Sequence, residues 1–268
     1  MNKILNNLGL AALHVLGFKQ YMLMLMGFVS HFFTILRTKK LTALDKWMSR
    51  KLFIRYRGAR LCIDCQTVDR LIPEPSYTFG LVREIYISNC YFQFERLNYR
   101  FRHVVDLGGN RGIFSLLAAR FSDNVIYVEA QPHYAQALVF NMQINGISNI
   151  RIVNAYMGAE TALTRSGVPS KTIDDIFAEQ KLDFIDFLKM DVEGSEFSLF
   201  ESVTCLAKIR YIALEVHPQY GDPMSIIHCL QEHGFSTNMR DNDLHAIAQP
   251  LADRLFYIYA HNSSMISA

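Results

Sequence analysis

From His103 to His217, short β-branched or apolar runs alternate with stretches whose apolar residues recur at helical spacing. That alternation predicts βαβ units, a parallel sheet and cover on both of its faces. The strand candidates are HVVDL (103–107), NVIYVEA (124–130), NIRIVNA (149–155), DFIDFLKM (183–190) and YIALEVH (211–217). Tyr134–Gly146 and Glu196–Ile209 carry the helical pattern between them, and RLFYIYA (254–260) predicts a last strand. With half of its residues hydrophobic and 19% charged, the chain can bury a large core, which excludes wholesale disorder.

The rest of the chain divides around this region. Residues 1–40 form a hydrophobic helical arm, 41–102 a mixed connecting or cap region with a turn-rich break at Leu71–Ser76, and 103–262 the ligand-binding domain. Residues 8–36 are strongly apolar, yet the densest run, Tyr21–Leu36, falls short of the ~20 residues of a spanning helix. Extending it upstream brings in Lys19 and Gln20. Nine cationic residues between Arg37 and Arg60 follow, and no small-residue cleavage site precedes them, so a cleaved signal peptide fits poorly. Two readings stand: an arm packed on its own domain or a second subunit, or contact with a membrane through residues 8–36. The basic stretch beside an apolar arm points to phospholipid head groups rather than nucleic acid. Five cysteines suit a reducing, cytoplasmic setting, on the cytoplasmic face of a membrane if the arm attaches to one. Cys62 and Cys65 have no second pair at zinc-ribbon spacing.

In such folds ligands bind beyond the carboxyl ends of the strands. The first of these ends is VVDLGGNRG, Val104–Gly112. A Walker A loop is absent, and the dinucleotide pattern G-x-G-x-x-G fails at its first position, Leu107. What remains is D-x-G-x-N-x-G, set by Asp106, Gly108, Asn110 and Gly112, with Gly109 as a further glycine of the turn. A carboxylate and an amide with no pyrophosphate cradle suit the amino-acid head of S-adenosylmethionine. Glu129, with Ala130 beside it, ends the second strand, where an acceptor-only carboxylate suits ribose hydroxyls. Asn154 and Ala155 end the third, at the place of the adenine edge. The fourth ends in Asp191, next to the cofactor and a candidate for binding it as well, and runs into Glu193, and the fifth ends in Glu215 and His217. A parallel sheet delivers these acids and the histidine to one rim, as catalytic candidates: a base that removes a hydroxyl proton, or oxygen ligands for a divalent cation.

VVDLGGNRG, VIYVEAQP, TIDDIF and above all IDFLKMDVEGSEFSLFE (185–201) resemble the FkbM family of S-adenosylmethionine-dependent methyltransferases. The resemblance covers roughly residues 77–260, and the stretch 158–170 is shorter than is usual there. It implies a Rossmann-like class I α/β fold with a seven-stranded, mostly parallel sheet. It also implies O-methylation of a hydroxylated acceptor, a sugar or a lipid-linked sugar. The competing readings are an NAD-linked oxidoreductase, disfavoured by Leu107, and a catalytically silent membrane-anchored protein of the same fold.

Overall fold

The computed structural model of the chain describes residues 8–72, 75–95, 97–158 and 167–266. Pro73 and Glu74 of the Leu71–Ser76 break, and residues 159–166 of the stretch after Gly158, lie outside the described residues. Two compact units are present. The first holds the chain up to Cys90 together with Arg111–Arg120 and His133–Ser148; the second holds Tyr91–Asn110, Phe121–Pro132 and the chain from Asn149 onward.

In the first unit, helix α1 (Leu10–Ser30) is followed by α2 (Phe32–Thr38) and α3 (Thr42–Trp47). Gly17 interrupts α1 with φ +68° and ψ 164°, which only glycine adopts readily. Gly27 lies so close to Trp47 that an added Cβ would sit 2.2 Å from the indole, and Trp47 Nε1 donates to the Leu23 carbonyl at 3.0 Å. Strands β1 (Lys51–Tyr56) and β2 (Ala59–Asp64) form an antiparallel hairpin. Arg57 and Gly58 both have positive φ, the signature of a type I′ turn matched to strand twist. Helices α4 (Cys65–Leu71) and α5 (Thr78–Val82) follow, then one π-helical turn, Arg83–Ile87. Arg83 grips the buried Asp45 carboxylate in two parallel hydrogen bonds of 2.7 and 2.8 Å. The unit also contains α6 (Ile113–Ala118) and nearly all of α7 (Pro132–Asn145). Arg111, buried, donates to Ser76 and Thr78 and lies 3.5 Å from Asp69.

The second unit is built on an eight-stranded sheet. Its strands are β3 (Phe101–Leu107), β4 (Ser122–Glu129), β5 (Ile150–Asn154), β8 (Ile185–Met190), β9 (Ile209–Val216), β10 (Phe235–Asp241), β11 (Ala246–Ile247) and β12 (Phe256–Asn262); β6 (Tyr156–Met157) and β7 (Ser170–Lys171) pair separately. The order is β11-β10-β12-β9-β8-β3-β4-β5. The five strands from β9 to β5 are parallel, and β12 enters antiparallel between β9 and β10. Seven long strands thus make the sheet expected from the sequence, and the two-residue β11 adds an eighth at the edge. Strand order reverses between β3 and β8, the switch point at which ligands bind in open α/β sheets.

Side chains alternate between the faces, and the two faces differ in chemistry. On one, Val105, Ile126, Leu188, Ile212 and Ile258 pack under α8 (Ile173–Glu179), α9 (Glu196–Ser202) and α10 (Pro223–Glu232). On the other, Phe92 and Phe94 meet Phe187, Tyr211 and Tyr259 with ring centroids 5.0–5.7 Å apart. Pairing register puts Asp106 opposite Lys189 and Glu215 opposite Tyr257, so the charged residues near the strand ends belong to the aromatic face. The last helix, α11, is Ser263–Ile266. All five cysteines are free, and Cys65 is fully buried, which pushes its thiol well above its ordinary pKa; neither fits a redox pair at Cys62 and Cys65.

The turn leaving β3 fits only because Gly108 lacks a side chain. Its φ is +71°, and an added Cβ would stand 1.7 Å from the Asp191 carbonyl oxygen. Leu107 O accepts from Asp191 N at 3.0 Å, so neither strand end can move aside without losing that bond. Gly108→Ala is therefore expected to cost about 3 kcal/mol or more, a fall of roughly 6 °C in the thermal midpoint. An unchanged midpoint in differential scanning calorimetry would show that the turn is not so confined.

Candidate active site

The carboxyl ends of β3, β4, β5, β8 and β9 supply the site residues of the second unit. Asp106 is fully buried, 0% exposed, and its carboxylate meets Lys189 Nζ at 3.1 Å. Lys189 also donates to the Gly108 carbonyl at 2.7 Å and lies 5.3 Å from the centre of the Tyr91 ring. Burial opposes the ammonium, but Asp106, Asp191 and Glu215 outweigh it and hold the lysine pKa above its ordinary value. The lysine thus stays charged and ties the Gly108 turn to the acids at the ends of β8 and β9.

Gly109 sits on the Tyr127 ring, where a Cβ would come within 2.2 Å, and Tyr127 Oη donates to the Asn110 carbonyl at 2.5 Å. Asn110 itself has a positive φ of 48°. Its N–H donates to Glu129 Oε2 at 2.9 Å, and Gln131 N–H donates to Oε1 at 2.9 Å. Burial raises the Glu129 pKa, and these two amide bonds act against that rise. Each carboxylate oxygen keeps acceptor capacity beyond its amide, because an ionised carboxylate offers about four lone-pair sites. Asn154, exposed, donates to the carbonyls of Glu129 and half-buried Ala130 at 2.8 Å each. The buried Ala155 donates its N–H to Glu129 O at 3.2 Å. Gly112 belongs to the first unit, where its φ of +72° starts α6 and a Cβ would strike Leu138.

The second cluster gathers around His217. Its N–H and Nδ1 approach Glu196 Oε1 at 2.7 and 3.2 Å. Glu196 is 0% exposed and also accepts from Gly194 N–H at 2.8 Å. A carboxylate can only accept, so the Nδ1 contact places the ring proton there and leaves Nε2 as the free nitrogen of neutral imidazole. Nε2 lies 3.4 Å from Glu193 Oε2 and 3.9 Å from Glu215 Oε1. The Glu193 side chain is 85% exposed, so water screens that contact. Burial alone would lower the His217 pKa, but Glu196, Asp191 and Glu193 together raise it above 6.5. Tyr91 Oη bridges Asp191 Oδ2 at 3.3 Å and Glu215 Oε2 at 3.5 Å. Among the described residues, Asp191, Glu215 and His217 offer ligand atoms within 4.8 Å of one another, and Asp191 Oδ1 is buried with no hydrogen-bond partner.

The three expected acids, Asp191, Glu193 and Glu215, thus lie around the fourth expected residue, His217, with Glu193 at the wet rim. Two residues of the cluster escape sequence reasoning. Glu196 reads as an ordinary acid at a helix start, where the macrodipole favours one; its burial is what marks it. Tyr91 lies ten residues before β3, at the end of REIYISNCY (83–91), a stretch that resembles the segment before the family's first strand but gives Tyr91 no role.

Removing one partner of the buried pair strands the other. Lys189→Met is expected to destabilise the protein by about 3–5 kcal/mol, and Asp106→Leu in the same chain to recover part of that loss. Urea unfolding of the two single variants and the double variant measures the coupling; strictly additive losses would show that the pair does not interact.

The methyltransferase FkbM domain family matches residues 106–237. Among solved structures, the methyltransferase FkbM from Methylobacillus flagellatus KT is similar at 17% identity, covering 72% of this chain and 57% of that one, with a TM-score of 0.45. The N-terminal domain of EvdMO1, solved in the presence of SAH and D-fucose, is similar at 13% identity over 74% of this chain and 94% of that one, TM-score 0.44. The precorrin-6y C5,15-methyltransferase from Geobacter metallireducens GS-15 is similar at 13% identity over 63% and 83%, TM-score 0.41. No curated protein matches the chain.

Proposed function

We propose that this chain, an S-adenosylmethionine-dependent methyltransferase by the FkbM domain at residues 106–237, methylates a hydroxyl oxygen of a sugar, glycan or glycolipid. The observation that carries the oxygen acceptor is His217, whose Nδ1 is held by buried Glu196 at 3.2 Å while Nε2 stays among the acids. A hydroxyl must lose its proton as it is methylated, and a neutral imidazole held in one tautomer is suited to take it.

The donor set fits the cofactor. Glu129 keeps lone pairs for the two hydroxyls of a ribose, and Asn154 fixes the strand-end carbonyls beside it. Asp106 acts through Lys189, which bonds the Gly108 carbonyl and so shapes the turn that receives the amino-acid head. S-adenosylmethionine supplies, when bound, a methyl group made electrophilic by its sulfonium. Asp191 and Glu215, joined through Tyr91, orient the acceptor hydroxyl, and His217 Nε2 takes its proton. Free cysteines throughout agree with a cytoplasmic setting.

Asp106→Ala and Glu129→Ala are each expected to weaken S-adenosylhomocysteine binding at least about tenfold by isothermal titration calorimetry, since each removes a charged hydrogen-bonding group. Unaltered binding in both variants would overturn the cofactor assignment. Tight binding with no transfer to any hydroxylated acceptor would instead leave a silent protein of this fold.

The raised pKa sets the direction of the pH dependence. Below it Nε2 is protonated and cannot accept, so kcat/KM should rise with a midpoint above 6.5 and then level off. In His217→Gln that limb should vanish and kcat fall by about a hundredfold or more. A profile unchanged by the substitution excludes the base role.

One observation favours a second reading of the same cluster. Three ligand atoms within 4.8 Å can chelate a divalent cation that acidifies the acceptor hydroxyl. Activity abolished by EDTA and restored by Mg²⁺ or Mn²⁺ selects that reading; full activity in chelator selects the base.

A further inference from the structure

We infer that the N-terminal helices of the first unit form a docking surface that lies flat on an anionic lipid bilayer. Phe18, Met22, Met26, Val29, Phe33 and Leu36 recur at steps of three or four residues and are all exposed, Phe33 to 83%. Such spacing places them along one side of the helical path through α1 and α2. Phe53, 62% exposed, adds an apolar side chain on β1, the strand that Gln20 of α1 holds by accepting from the Phe53 N–H and donating to its carbonyl.

The charge around the stripe identifies its occupant. Eleven lysines and arginines and one acid, Asp45, stand in residues 1–60, against sixteen and twenty-four in the rest; net charges of +10 and −8 thus combine to the chain's +2. Asp45 is buried against Arg83, so it does not offset the cations at the surface. Arg37, Lys39, Lys40, Lys51, Arg55 and Arg57 are exposed. An apolar stripe flanked by exposed cations complements the acyl boundary and the phosphate layer of an anionic leaflet. A second protein copy would meet the same uncompensated cations.

Helix α1 is long and apolar enough to cross a membrane by length and composition. Its structure argues for the in-plane arrangement instead. Gly17 breaks the helical ladder, and the uninterrupted part, Phe18–Ser30, spans about 20 Å against the ~30 Å of a hydrocarbon core. The opposite side is committed to the protein: Val15, Leu16, Met24 and Ile35 are buried, and Gln20 and Leu23 hydrogen-bond to Phe53 and Trp47. Spanning would strip those polar partners inside hydrocarbon, where each unmet group is costly.

The test uses the full-length protein and vesicles of phosphatidylcholine with about one-third phosphatidylserine. The protein is expected to sediment with these vesicles, weakly with phosphatidylcholine alone, and less as salt rises. Met26→Glu/Phe33→Glu changes exposed positions only and should reduce partitioning by at least about tenfold, with S-adenosylhomocysteine binding unchanged. Alkaline carbonate should release the bound protein. Three results would overturn the proposal: no sedimentation with anionic vesicles, retention through carbonate extraction as a spanning helix would show, or a dimer broken by the double substitution without vesicle binding.

Discussion

The buried pair between Asp106 and Lys189 is the interaction on which the rest of the second unit depends. Each charge alone would be costly at 0% and 4% side-chain exposure, and even the paired state is tolerable only if the remaining hydrogen-bonding capacity is met. Lys189 meets that requirement by bonding the carbonyl of Gly108. The cation therefore does three things at once: it neutralises the acid of β3, shapes the turn after it, and offsets Asp191 and Glu215 nearby. Because the two residues are register partners on adjacent parallel strands, the sheet itself sets their separation. Loop motion has little influence on it.

The histidine cluster follows a related logic with the signs arranged differently. Glu196 is as buried as Asp106, but its partners are two N–H groups of the chain, from Gly194 and His217, and the His217 ring. An acid held this way needs no lysine, and its charge goes into fixing one imidazole tautomer. Glu193, three residues earlier and largely in water, cannot serve in the same manner despite its similar place in the sequence. Two glutamates of one short motif thus acquire different roles through burial alone.

Much of the sheet is legible in the sequence alone. The apolar runs of β3, β4, β8 and β9 are buried over most of their length and read as strands without ambiguity, and β5, an edge strand with only Ile150 buried, still reads as one through its β-branched IRIV run. β10, FSTNMRD, is not, because it is half-exposed and flanked on its outer side only by the two-residue β11, so it tolerates polar residues and leaves no apolar period. The β1–β2 hairpin also lies in a stretch whose sequence reads as connecting chain. Its turn dipeptide, Arg57–Gly58, is a usable signal that the neighbouring basic residues disguise.

By itself the sequence determined the class of fold, the turn Asp106–Gly112, and the convergence of Asp191, Glu193, Glu215 and His217 on one rim. Strand period and connection rules suffice for those, since parallel strands must present their carboxyl ends together. Tertiary structure alone decided that Asp106 faces Lys189, that Glu196 rather than Glu193 holds the imidazole, and that the apolar arm keeps one side on its own unit. These outcomes depend on desolvation, and desolvation is a property of what surrounds a side chain in space, which linear order does not contain.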